Sequence, residues 1–181
     1  RANSISLNMA ELNLDMAPEP LGFKLSLGAG RAFDLIHFAD TANGFDSLRY
    51  VPQAYLSYKP VTAKGLQLDF GKFYTSAGAE LTETHLGWNY SRALMYANGP
   101  YYHFGLRTTM PLSKNFTAGF QVVNGWNNVE DNNSGKTVGV TTVVTVRKFV
   151  WSNVYYAGPE TSAANEGFRN FNSTVFTLNP S

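Results

Sequence analysis

The residues best suited to chemistry are concentrated in one stretch. Glu80, Glu83, His85 and Arg92 lie within residues 74–100, and Lys72, His103 and Arg107 flank it. Carboxylates and a guanidinium opposed across a confined, water-filled passage would set up a transverse field and bias the movement of ions. A second role for Arg107 is internal scaffolding, paired with Glu80 or Glu83. The stretch also reads as a solvated loop, or as a rim packed by Trp88, Tyr90 and Tyr96. Glu80, Glu83 and His85 could instead be metal ligands, or the two carboxylates a glycosidase pair. A three-residue spacing in an irregular segment fixes no geometry for either, so neither a catalytic nor a metal site is expected.

Two further motifs invite a chemical reading. Residues 134–137 read Ser-Gly-Lys-Thr, like the end of a phosphate loop. The first glycine of that motif would fall on Glu130, and a helix should follow. An alternating, strand-like segment follows instead, so this is a hairpin loop. Asn127, Asn128, Asn132 and Asn133 suit turns; with Glu130 and Asp131 they could also bind calcium at a surface. No cofactor is called for.

Composition narrows the elements that must position these groups. Hydrophobic residues make up 44% of 181, yet no run approaches the roughly 18 apolar residues of a membrane helix. Such a chain spans a membrane only as a closed barrel, because lipid cannot satisfy the backbone of an open sheet. Ten Tyr and thirteen Phe suit the aromatic girdles of a barrel; an aromatic-rich soluble sandwich is the competing fold. A net charge of +1 gives no electrostatic footprint for nucleic acid. The absence of cysteine excludes disulfide frameworks and thiolate metal sites. The first residue is Arg1, and no charged-then-apolar leader follows, which reads as a processed, trimmed or partial chain.

Segments of about ten residues alternate apolar and polar, a strand signature. Nine are expected: residues 5–16, 21–29, 51–58, 66–73, 101–110, 116–126, 137–146, 150–157 and 171–178. The links between them alternate in length. Those at 17–22, 59–65, 111–115 and 147–149 are short; those at 31–49, 74–100, 127–136 and 158–168 are long. Tight turns on one side and long loops on the other describe an antiparallel, up-and-down transmembrane β-barrel. In the first segment the apolar phase slips near Ala10 and Glu11, which points to a bulge.

The non-apolar face is rich in Gly, Ser, Thr and Gln and poor in Lys and Glu. That composition suits a confined, watery interior better than an open solvent face. Bacterial single-chain barrels have an even number of strands. Nine is odd and both ends look cut, so the expectation is one domain over residues 1–181 that forms part of a larger, all-β barrel. The competing count is a complete eight-stranded barrel.

Three stretches carry a family resemblance. They are VPQAYLSYKP from Val51, LQLDFGKFYTSAGAELTETHLGWNYSRALMYANGPYYHFGLRTTMPLS from Leu66, and VVNGWNNVEDNNSGKTVG from Val122. GKF followed by AGAE, then WNYSR, PYYHFG and NGWNN with DNN-GKT resemble a family of outer-membrane β-barrel porins, over about residues 3–179. Members continue with further strands and end on an aromatic residue, unlike the Leu178-Asn179-Pro180-Ser181 end here. The resemblance implies a Gram-negative outer-membrane location and a pore role but supplies no substrate; the expected function is a channel for passive diffusion of small polar solutes or ions, with no enzymatic activity. It implies contact with outer-membrane lipid and lipopolysaccharide, a possible homo-oligomer, and no nucleic acid. Porins commonly fold one long loop into the lumen, which makes residues 74–100 the expected constriction. The alternative is a structural or adhesive barrel whose surface loops, 31–49 and 127–136, bind a partner.

Overall fold

In the computed structural model, residues 4–38, 46–87, 89, 91–161 and 167–179 are described. Nine strands form one sheet: β1 (Ala10–Met16), β2 (Leu21–Ala29), β3 (Gln53–Tyr58), β4 (Gln67–Tyr74), β5 (Tyr102–Ser113), β6 (Phe116–Val123), β7 (Thr137–Val146), β8 (Phe149–Pro159) and β9 (Phe168–Leu178). Every strand pairs antiparallel with its neighbour in sequence, in the order β1 to β9. Two short helices, α1 (Arg31–Ile36) and α2 (Leu94–Asn98), sit in the long loops. Among the described residues no helix is long and apolar enough to cross a membrane. Among the same residues β1 and β9 do not pair with each other, so the sheet is open.

The expected alternation of links is present. The β1–β2, β3–β4, β5–β6 and β7–β8 connections are short, and the other four are long. Arg147, in the β7–β8 turn, has φ 52°. That left-handed conformation matches a tight turn to the twist of its strands.

Some boundaries differ from expectation. The first segment is strand only from Ala10. Its earlier residues have no strand opposite, because β2 ends at Ala29, the partner of Ala10. The carbonyls of Leu7 and Asn8 instead accept from the backbone N–H groups of Arg31 and Ala32, which open α1. The bulge expected near Ala10 is absent: pairing runs in step from Ala10 to Met16. A bulge lies instead between Pro111 and Ser113, where β5 runs on into the expected turn. Proline lacks the N–H a ladder needs, so a bulge is where a strand admits it.

Register sorts the side chains into two faces. One row reads Met16, Phe23, Leu56, Phe70, Leu106, Val122 and Val138 across seven strands. It faces outward: Phe23 is 38% exposed and Phe70 58%, and Phe120 in a parallel row is 48%. A row on the other face reads Ser57, Asp69, Arg107, Gln121, Gly139 and Tyr156. Its side chains are bonded to one another. The Ser57 hydroxyl donates to Asp69 Oδ1 at 2.6 Å, Arg107 Nε donates to Asp69 Oδ2 at 2.8 Å, and the Tyr156 hydroxyl donates to Gln121 Oε1 at 3.1 Å. Gly139 makes room for this, since a Cβ there would come within 2.5 Å of the Tyr156 ring.

The clean alternation ends at a pair of opposed glycines, Gly71 and Gly105, with φ of 138° and 155°. A Cβ on either would lie 2.2 Å from a neighbouring carbonyl oxygen. Beyond them Lys72 and Phe73 on β4, and Tyr102 and His103 on β5, are all buried.

Candidate functional site

The long β4–β5 loop, residues 75–101, is laid against the polar face and tied down along its length. The Tyr74 hydroxyl, at its entry, donates to Glu11 Oε2 on β1 at 3.3 Å. Thr75 Oγ1 lies 3.4 Å from His103 Nε2. The Gly125 carbonyl, 2.8 Å from His103 Nδ1, can only accept, so Nδ1 carries the proton and Nε2 accepts from Thr75 when the ring is neutral. Gln121 Nε2 donates to Ser76 Oγ at 3.0 Å. The backbone N–H of Gly78 donates to Ser173 Oγ on β9 at 3.0 Å, across 95 positions of chain. The loop itself therefore touches β5, β6 and β9, while the last residue of β4, from which it starts, reaches β1.

Glu80 and Arg92 knit the loop to itself. Both oxygens of Glu80 accept from the Ala93 N–H, at 3.1 and 3.0 Å. Arg92 Nη2 donates to the Thr82 carbonyl at 3.1 Å, and its guanidinium lies 5.0 Å over the Tyr96 ring. Glu83 is half-buried, and His85 is exposed on a short 3-10 turn, Thr84–Leu86. Trp88 and Tyr90, expected as rim packing, lie outside the described residues. A cavity of about 550 Å3 separates the loop from β9, with Glu80, Glu83, Tyr96, Tyr101, Phe171 and Ser173 on its wall. Burial pushes the Tyr101 hydroxyl above its ordinary range.

The expected set is thus divided. Glu80 and Glu83 reach the cavity, with Arg92 just behind. Lys72 goes elsewhere: its ammonium donates to the Leu48 carbonyl at 2.9 Å and lies 4.4 Å over the Tyr102 ring. That places it under the β2–β3 loop, whose α1 carries the buried Phe33 and is followed by His37, tilted against Tyr102 with ring centroids 4.5 Å apart. His103 is wholly buried. Arg107 pairs with Asp69, not with Glu80 or Glu83 as its scaffolding role anticipated. Asp69 stands directly opposite Arg107 on the next strand, and an opposed charge pair there needs no loop. The Arg107 guanidinium also stacks over Phe73 at 4.5 Å and Tyr55 at 5.0 Å.

The β6–β7 loop is pinned by Asn127, expected as a turn residue, and by Glu160, which the sequence did not single out. Asn127, at φ 57°, accepts through Oδ1 from the N–H of Tyr101 at 2.7 Å, and its carbonyl accepts from the Tyr102 hydroxyl at 2.6 Å. Glu160, just past β8, accepts from the Trp126 N–H at 3.0 Å and from Thr137 Oγ1 at 2.6 Å. Burial raises its carboxyl above the usual range, and these two hydrogen bonds partly offset that. Asp131 accepts from the Asn133 N–H and pairs with Lys136, so its oxygens are committed within the loop. Among the described residues no three His, Cys, Asp or Glu are grouped to hold a metal.

A family model described as "Putative beta-barrel porin-2, OmpL-like" matches residues 1–181. No curated protein and no solved structure matches the chain.

Proposed function

Because the chain belongs to the OmpL-like β-barrel porin family, we propose that it forms the wall of an outer-membrane channel for passive diffusion of small polar solutes or ions. The passage makes and breaks no bonds. The observation that carries this reading is the β4–β5 loop laid across the polar face: it leaves β4 at Tyr74, whose hydroxyl reaches Glu11 on β1, and its Gly78 meets Ser173 on β9. A loop held inside a water-filled lumen narrows it and places Glu80 and Glu83 beside the path. The opposite face supports the same reading, since Phe23, Leu56 and Phe70 present an apolar row that no part of the described chain covers. In this reading the row meets lipid. Lipid also forbids open edges, so β1 and β9 each gain a partner strand in the membrane.

The test is conductance. The protein, refolded in detergent and added to a planar lipid bilayer, is expected to give discrete ohmic steps. Protein that inserts, resists protease and stays silent overturns the channel reading.

A further inference from the structure

The cavity between the β4–β5 loop and β9, at about 550 Å3, falls in the range that holds a small molecule, roughly 300–1,000 Å3. Its wall joins aromatic rings to hydroxyl and carboxylate groups. Tyr96 and Tyr101 stand 5.2 Å apart at 49°, and Phe171 and Ser173 face them from β9. Among the described residues, Glu83 and the Tyr96 and Tyr101 hydroxyls have no hydrogen-bond or ion-pair partner. Their bonding capacity is open to a guest.

The charges select the guest. No Lys, Arg or Asp is among the described residues lining the cavity, whereas Glu80 and Glu83 both do. An anion would meet two carboxylates. A cation would find the Tyr96 ring already occupied by the Arg92 guanidinium, which stands behind the wall anchored to the Thr82 carbonyl and repels a second positive charge. A neutral guest with a flat C–H face and a ring of hydroxyls meets neither penalty. Its apolar face can lie on an aromatic ring, and adjacent hydroxyls can donate to one carboxylate as charge-assisted bonds.

We propose that this cavity is a binding subsite for pyranose sugars, with Tyr101 stacked beneath the sugar ring and Glu83 accepting its hydroxyls. The proposal rests on the channel reading, in which the cavity lies beside the path of the solute. The guest is held in transit and unchanged.

Calorimetric titration of the full chain in detergent tests it, with maltose as probe. Sorbitol, a polyol without a ring, and tetraethylammonium are the comparators. Maltose is expected to bind, sorbitol more weakly, and tetraethylammonium not at all. Glu83→Gln and Tyr101→Ala should each weaken maltose about tenfold, the worth of one charge-assisted hydrogen bond or somewhat less. Tyr101→Phe keeps the ring and should stay near the parent. Glu83→Gln preserves shape and the fold, so it remains decisive even where Tyr101→Ala fails to refold. Equal binding of sorbitol and maltose, preferred binding of tetraethylammonium, or an unchanged Glu83→Gln variant each overturns the sugar site. Bilayer conductance without maltose binding removes the site and leaves the channel. Maltose binding by a bilayer-silent protein removes the channel and leaves the site.

Discussion

Phe70 and Asp69 are neighbours on β4 and live in opposite worlds. Asp69 is buried and takes hydrogen bonds from Ser57, Gln67 and Arg107. Phe70 points away, with Phe104 against it edge-on at 5.8 Å. The inner row is satisfied by the chain itself; the outer row is left for something the chain does not supply. The difference teaches that polar residues here build the cohesive side, the reverse of a soluble fold, in which cohesion lies with the apolar face.

The sharpest way to break that contrast is Arg107→Leu. It leaves the buried Asp69 carboxylate without its cation, held by Ser57 and Gln67 alone, and should cost about 3 kcal/mol or more. Urea unfolding in detergent measures it. The double variant Asp69→Leu/Arg107→Leu should recover a large part, and additivity of the two losses would show that the ion pair does not couple the strands.

Phe70→Arg probes the other side. If that row meets hydrocarbon, the variant should lose about 2–4 kcal/mol at mid-depth when folded into vesicles. Were the row facing water, the change would stay within about 0.5 kcal/mol. Reversible folding into lipid vesicles reads the difference directly.

Gly71→Ala attacks the place where the two-faced pattern stops. A side chain at φ 138° and 2.2 Å from the Ala54 carbonyl should cost about 1–3 kcal/mol. It should also loosen the strand ends above it, seen as faster hydrogen exchange at Lys72 and Phe73 than at Leu68.

The smallest effect belongs to Glu160, on the rim. Its folded carboxyl holds a proton more tightly than the unfolded one, because burial disfavours the charge. Its contribution is therefore complete below the ordinary glutamate range and is lost as pH rises through the raised folded value. Glu160→Gln should flatten that part of the stability profile above about pH 4.5. A slope that persists in the variant assigns it to another group.

Much of this was readable beforehand because strands announce themselves locally. β2 and β7 fall on the expected residues, since strict alternation and a partner on each side coincide there. Residues 5–9 misled because Ile5, Leu7 and Met9 alternate without a strand opposite them; periodicity records side-chain type and is blind to partners. The loop candidates Glu80 and Glu83 were legible as charges in a long connection. Their setting was not, because it depends on Ser173 and Glu11, which no local pattern links to the loop. Lys72 escaped for a related reason: the Gly71–Gly105 pair ends the two-face rule just before it.

The Gly78–Ser173 bond also fixes an order of events. A contact joining positions 95 residues apart forms late, since its ends must first be brought together at the cost of chain entropy. β9 is laid down well after the loop, and until it arrives the loop has no far abutment. The assembling wall is therefore wide when young, and it acquires its narrow waist only as β9 docks.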